Sequence, residues 1–254
     1  MSSENPSPSP SPSPSCTAVT PWSTVALPGR FIVLEGGDGC GKTTQIQYLQ
    51  HWLRQSGWLP PGRSLWLTKE PGGTELGRTL RSLLLDPQAL GEALADQGEL
   101  FLYGADRAQH VQTLLRPWLE QGDWVLCDRY VGSTVAYQGY GRGLDLGLIQ
   151  QINDLATGGL EADLTLWLDV EVSQCWQRLQ GRGQADRMEA AQGDFAHRVR
   201  RGFLDLAAQY PDSWVRIDGE GREAIVAQRI QQVVQRWLES KARLQSHPDN
   251  PEPG

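Results

Sequence analysis

Lysine is scarce in this chain. Only three occur in 254 residues, Lys42, Lys69 and Lys241, so a lysine inside a motif carries weight. Basic residues are outnumbered, 23 Lys and Arg against 30 Asp and Glu. The resulting charge of −7 argues against a general nucleic-acid-binding role, which needs a basic face. It does not exclude a small anionic ligand, because a local pocket can be positive on an acidic protein. Cysteines number four, Cys16, Cys40, Cys127 and Cys175, at spacings that fit neither a zinc site nor a small disulfide framework. They read as reduced thiols of a cytosolic protein. No apolar stretch reaches the ~20 residues that span a bilayer, so no membrane partner is expected. The N-terminal segment has no basic region followed by an apolar core, and no arginine before position 30. Those absences argue against a secretory signal and against a transit peptide. No internal repeat is present.

What is there divides into three parts. Residues 1–29 include the alternation NPSPSPSPSPS, which cannot bury apolar area and lacks an amide donor at each proline. They read as a disordered Pro/Ser-rich tail. Residues 242–254, ending in SHPDNPEPG, read as a second tail by the same logic. Between them, 30–241 read as one domain. The runs FIVLE (31–35), SLWLT (64–68), WVLCD (124–128), LTLWLD (164–169) and WVRID (214–218) are short and almost continuously apolar. That pattern predicts strands of a parallel sheet buried on both faces. The segments between them are long enough for crossover helices. The last carries Val226, Ile230, Val233, Val234 and Trp237 at helical spacing. The fold class expected is a three-layer α/β/α domain around a central five-stranded parallel sheet.

Three strand ends carry chemistry. The first is GGDGCGKTT (36–44), in which Gly36, Gly41, Lys42 and Thr43 fill the phosphate-loop pattern between a strand and a helix. Glycines let the backbone wrap a phosphate chain with its N–H groups pointing inward, and the following helix adds its positive end. Gly36, Gly37, Asp38, Gly39, Cys40, Gly41, Lys42 and Thr43 are the expected ATP-binding residues, with Lys42 on the β- and γ-phosphates and the Thr43 hydroxyl on Mg²⁺. Such a loop names a nucleotide and not a reaction, since switches, motors and small-molecule kinases share it. The second is WVLCDRY (124–130). Asp128 lies where a Walker-B carboxylate meets the metal, and Arg129 can clamp a phosphate; a surface Asp–Arg pair is the alternative. The third is TKEPGGT (68–74), where Pro71 restricts Glu70, two glycines permit an unusual backbone path, and Arg78 and Arg81 follow. In a parallel sheet all three ends face one edge, where ligands bind.

GGDGCGKTT, TKEPGGTELGRTLRSLLL, FLYGADRAQH, CDRYVGSTVAYQGYGRG and RGQADRMEA, in that order and spacing, resemble the bacterial thymidylate kinases over roughly residues 30–240. The resemblance implies a P-loop NTPase fold with a short lid near 181–192, transfer of the ATP γ-phosphoryl to dTMP, Mg²⁺, a homodimer and a cytoplasmic location. It implies an acceptor site of Asp38, Glu70, Pro71, Arg81, Tyr103, Arg107, Arg129, Ser133, Thr134, Tyr137 and Gln138. In it Asp38 takes the sugar 3′-hydroxyl, Arg81 and Arg129 the phosphate, Tyr103 stacks on thymine and Arg107 donates to its O4. Ser133, Thr134, Tyr137 and Gln138 match the sugar-and-base wall, and Thr134 occupies a position where some relatives carry Asn. Tyr103 and Arg107, one helical turn apart, share a face. Some family members carry Arg after the loop's acidic residue, whereas here that position is Gly39. The lid instead carries Arg182 and Arg187, and Arg182, between two glycines, is the arginine expected over the transferring phosphoryl group. Lys42, Arg129 and Arg182 are thus the expected catalytic residues. No general base is apparent and none is required, since a phosphomonoester with a second pKa near ~6 is largely a dianion at neutral pH.

Overall fold

A computed structural model describes residues 28–86, 89–180 and 194–246 of the chain. The lid at 181–192 and nearly all of the N-terminal tail lie outside the described residues. Five strands form one parallel sheet: β1 (Arg30–Glu35), β2 (Leu65–Lys69), β3 (Trp124–Asp128), β4 (Leu164–Asp169) and β5 (Trp214–Asp218). Their order is β2-β3-β1-β4-β5. The register aligns Leu34 of β1 and Lys69 of β2 with Asp128 of β3, so the C-terminal ends of the first three strands meet at one level. The chain winds to one side of β1 and then to the other. That reversal makes a crevice at the carboxyl edge, the usual place for a ligand in an open α/β sheet.

The helices are α1 (Lys42–Gln55), α2 (Glu75–Leu85), α3 (Asp96–His110), α4 (Arg116–Glu120), α5 (Val131–Thr134), α6 (Leu146–Thr157), α7 (Val172–Gln180), α8 (Asp194–Gln209) and α9 (Glu223–Ser246). Wider i→i+5 turns over Val111–Leu115 and Val135–Gly141 join α3 to α4 and extend α5. One face of the sheet packs on α1 and α9, burying Ile46, Leu49 and Leu53 with Val226, Ile230, Val234 and Leu238. The opposite face is covered around Val111, Leu115 and Leu119 on one side, and around Phe195, Val199 and Phe203 of α8 on the other.

Two expectations need correction. Strands β2 and β5 are not buried on both faces, because they are the edge strands: Trp66 and Leu67 of β2 are exposed by 39% and 40%, and only Ile217 of β5 is buried. Trp66 covers part of the β2 edge by stacking on Trp118, with ring centroids 4.7 Å apart, and by donating its Nε1–H to Asp123 Oδ2 at 2.8 Å. The last helix also continues to Ser246, past the boundary expected at 241. Residues 241–246, KARLQS, are mostly good helix formers, and no proline interrupts them before position 248. Among the described residues no helix is long and apolar enough to cross a membrane.

Candidate active site

Strand β1 delivers the chain into the phosphate loop, and Gly41, in the left-handed region at φ 101°, turns it into α1 as the N-cap. A side chain there would be strained, so the glycine is what lets the loop close directly onto the helix start. Lys42 is 7% exposed, and its Nζ donates to the carbonyls of Gly36 and Gly37 at 2.9 Å each. Its ammonium is thereby held inside the loop's own curve. Thr43 Oγ1 faces Asp128 Oδ2 across a long 3.5 Å contact. Asp128 Oδ1 is buried without a hydrogen-bond partner, and among the described residues no basic side chain forms an ion pair with this carboxylate. A carboxylate oxygen without a hydrogen-bond partner, beside a hydroxyl, suits a hard divalent cation with oxygen ligands. Among the described residues no cluster of three or more acidic, His or Cys side chains could hold a metal alone, so phosphate oxygens and water would complete its shell.

The eleven acceptor-site residues named from the sequence line one cavity, together with Leu85 and Tyr130. Arg129 is the only non-glycine residue with positive φ (72°) among the described residues. That conformation turns its side chain back across the phosphate loop, a strained arrangement that the surrounding contacts must hold. Its Nη1 donates to Gly36 O at 3.0 Å and to Ser133 Oγ at 2.9 Å. Its Nη2 donates to Tyr137 Oη at 3.1 Å and to Asp38 Oδ1, while the guanidinium lies 4.9 Å from the Tyr137 ring centroid. Tyr137 in turn donates to Asp38 Oδ2 at 2.6 Å. Burial alone would raise the Asp38 carboxyl, but Arg129, Lys42 and the Tyr137 hydroxyl together hold it below the ordinary range.

Arg107 is 2% exposed, yet it lines the same cavity. Nε donates to Glu70 Oε2 at 2.8 Å, Nη1 to Thr134 Oγ1 at 2.9 Å and Asn153 Oδ1 at 2.7 Å, and Nη2 to Tyr130 O at 3.1 Å. Four of its five N–H groups are thus engaged, leaving one on Nη2. Thr134 is an acceptor for Arg107, and the Gln138 amide donates to buried Glu99 at 2.8 Å. Arg81 is drawn to the turn by donating from Nη1 to Pro71 O at 3.0 Å. Arg182 and Arg187 lie outside the described residues.

Sequence reasoning missed Glu35, which closes β1 with 0% exposure. Its Oε1 accepts from the backbone N–H of Tyr130 at 2.9 Å and of Ser133 at 3.0 Å, and its Oε2 accepts from Ser133 Oγ at 2.6 Å. Burial raises its carboxyl despite the opposing pull of Arg129 and Ser133. Glu35 therefore anchors Tyr130 and Ser133, one and four residues beyond Arg129. The acid directly before the loop glycine was the available signal, but it read as the end of a strand. A second cavity was also missed, on the other side of the loop, formed by Gly39, Gly41, Thr44 and Gln45 with Arg178 and the segment Gly219–Glu223. Two glycines just after the last strand, in IDGEG, were its trace in the sequence.

The phosphate-loop cavity and the acceptor cavity share four residues, Asp38, Glu70, Arg81 and Arg129. A phosphate chain on the loop and a second anion among the acceptor residues would therefore meet between two guanidiniums.

A family model described as thymidylate kinase matches residues 34–230. The chain is 54% identical over 227 residues to a thymidylate kinase of Thermosynechococcus vestitus, covering 85% of this chain and 93% of that one. It is 51% identical over 212 residues to a thymidylate kinase of Synechococcus sp. strain CC9605, covering 84% of this chain and 100% of the relative. Among solved structures it resembles the thymidylate kinase of Ehrlichia chaffeensis, with a TM-score of 0.66 and 33% identity over 82% of this chain and 98% of that one.

Proposed function

Because the chain belongs to the thymidylate kinase family, and so transfers the γ-phosphoryl group of ATP to dTMP, we propose which side chains perform that transfer. One observation carries the assignment: the donor and acceptor cavities meet at Asp38, Glu70, Arg81 and Arg129. Residues 30–246 form the kinase domain, and the segments outside it take no part in the chemistry.

The loop backbone from Gly36 to Gly41 and the start of α1 cradle the donor phosphates. Lys42 leaves the Gly36 and Gly37 carbonyls for the β- and γ-oxygens, and the donor's base lies in the cavity beside Arg178 and Gly219–Glu223. Thr43 and Asp128 would hold Mg²⁺, which would supply positive charge beside the donor phosphates. Arg81 and Arg129 hold the dTMP phosphate beside the loop that carries the donor phosphates, with Arg129 exchanging some of its loop and Ser133 hydrogen bonds for phosphate oxygens. The acceptor needs no base, since its second pKa is near ~6. What remains is to bring two polyanions together, which positioned cations do by lowering their repulsion in a site shielded from water. Tyr103 stacks on thymine, and the remaining Arg107 N–H donates to its O4. Glu70 and Pro71 shape the turn beneath the phosphate, and Ser133, Thr134 and Gln138 close the wall. Tyr137 packs where a ribose 2′-hydroxyl would be, a steric reason for a deoxynucleotide, while Asp38 accepts from the 3′-hydroxyl.

ADP release measured with ATP and Mg²⁺, with and without dTMP, tests this reading. Turnover is expected to depend on dTMP and to fall when dUMP or another monophosphate replaces it. Turnover that ignores the acceptor would refute it. The role of Arg182 rests on the resemblance. Arg182→Ala should lower kcat by roughly 10³-fold with little change in the KM for dTMP, because the contact forms as charge develops. A kcat within about twofold of the parent would move that role to Arg187 or to the metal. A homodimer is supported by exposed apolar side chains on α3 and on the two helices packed against it: Phe101 on α3 (61% exposed), Leu76 on α2, and Leu148 and Leu155 on α6 (79% exposed for Leu155). The place of action is the cytoplasm.

A further inference from the structure

Helix α3 carries more than Tyr103 and Arg107 toward the acceptor turn. His110, fully buried, meets Glu70 Oε1 through Nδ1 at 2.8 Å and Thr68 Oγ1 through Nε2 at 2.7 Å. Both ring nitrogens of His110 are thus engaged, one by the Glu70 carboxylate and the other by the Thr68 hydroxyl. Asp106, 1% exposed, accepts the Gly72 N–H on Oδ1 at 3.0 Å. Together with Arg107, these residues bind Thr68, Glu70 and Gly72 from one side of one helix.

The approach is so close that the glycines of this segment become intelligible. A Cβ on Gly73 would lie 2.7 Å from the His110 ring, and one on Gly77 would lie 2.3 Å from Asp106 Oδ1. Gly72, at φ 109°, touches Arg81 on its other side: a Cβ there would lie 3.0 Å from Arg81 Cδ. Arg81 also donates to Pro71 O at 3.0 Å, so Asp106 acts on the guanidinium through Pro71 and Gly72. Neither Asp106 nor His110 lines the acceptor cavity or the phosphate-loop cavity.

Asp106 is costly for the fold. Its Oδ2 is buried without a hydrogen-bond partner, and burial together with the Glu70 charge pushes its carboxyl up to about 6. Stability alone would favour an uncharged residue at this position.

We propose that Asp106, backed by His110, is a positioning residue for the acceptor phosphate, fixing Gly72 and Pro71 so that Arg81 faces the dTMP phosphate. This rests on the assignment of Arg81 to that phosphate, which Arg81→Ala tests separately by a rise in the KM for dTMP. Asp106→Ala removes the acceptor of the Gly72 N–H, whereas Asp106→Asn keeps an oxygen at Oδ1. The alanine variant should raise the KM for dTMP about tenfold, the loss of one charge-assisted hydrogen bond, with the KM for ATP within about twofold. The asparagine variant should recover to within about threefold of the parent. If Asp106→Ala does not fold, Asp106→Ser decides, because its shorter polar side chain occupies part of the same space without reaching the Gly72 N–H, and the same selective rise is expected. Arg81→Ala with an unchanged KM for dTMP would sink the site assignment. A strong Arg81→Ala effect would instead overturn the brace alone in either of two cases. One is that folded Asp106→Ala or Asp106→Ser leaves the KM for dTMP unchanged or raises both KM values alike. The other is that Asp106→Asn fails to rescue.

Discussion

Lys42→Ala is expected to keep the fold and lose nearly all phosphoryl transfer. In the structure the hydrogen bonds of Lys42 Nζ go to the loop carbonyls of Gly36 and Gly37 and to Cys40 Sγ at 3.8 Å, and its charge also acts on Asp38 and Glu35, both of which keep Arg129 beside them. Alanine is the best helix former, so the first turn of α1 is not penalised. Lys42 itself lines the open phosphate-loop cavity, so water can enter the space that alanine leaves. The melting temperature should therefore move little. Catalysis loses a preorganised cation at the oxygens where charge develops, and one such donor is worth roughly 10²–10³-fold in kcat. Arginine should not rescue, because a planar fork cannot take the place of a compact ammonium within the loop. Coupled ADP release, measured beside a thermal melt, checks both halves. Folded Lys42→Ala within about tenfold of parental turnover would remove the phosphate loop from the mechanism.

Arg107→Ala should have the largest effect on stability of any single change in the acceptor site. From the sequence alone, its expected consequence is weaker dTMP binding. The structure adds a second one. Arg107 and Glu70 are 2% and 3% exposed and pair at 2.8 Å, with Thr134, Asn153 and Tyr130 O sharing the same guanidinium. Removing it leaves a buried carboxylate without its main counter-charge, along with several unsatisfied acceptors, a change that costs about 3–5 kcal/mol. For a domain of this size that is a fall in Tm on the order of 10 °C. The KM for dTMP should rise as well, since the remaining N–H on Nη2 is lost. Arg107→Lys should recover little, because one ammonium cannot span four acceptors in the plane of a guanidinium. Calorimetry on Arg107→Ala decides: a Tm within about 2 °C of the parent would mean that Glu70 is not held by this pair.

Much of this protein was legible along the chain. The five strands are near-continuous apolar runs, and three of them, β3, β4 and β5, occupy the spans their pattern predicts. The phosphate loop is also local, because strand, glycines, lysine and helix start follow one another without a break. The eleven residues expected at the acceptor site fall in one cavity because their motifs are recognisable one by one and the parallel arrangement brings their strand ends to one edge.

Other features belong to the tertiary structure alone. Nothing in CDRY announces that Arg129 takes a left-handed backbone; that conformation is held by Glu35, 95 residues away from Tyr130, the first residue it anchors. Nor does DRAQH show that Asp106 and His110 back the turn at 68–73, or that Gly73 and Gly77 are glycines because a side chain there would strike them. Edge exposure of β2 follows from strand order, which local hydropathy does not encode. The division has a physical cause. Hydrophobic period, turn chemistry and the phosphate loop are set by neighbours within a few residues, so the chain carries them openly. Buried charge pairs such as Arg107 with Glu70, and backbone strain such as that at Arg129, survive only where distant segments supply the compensating hydrogen bonds, and those partners exist only once the sheet has assembled.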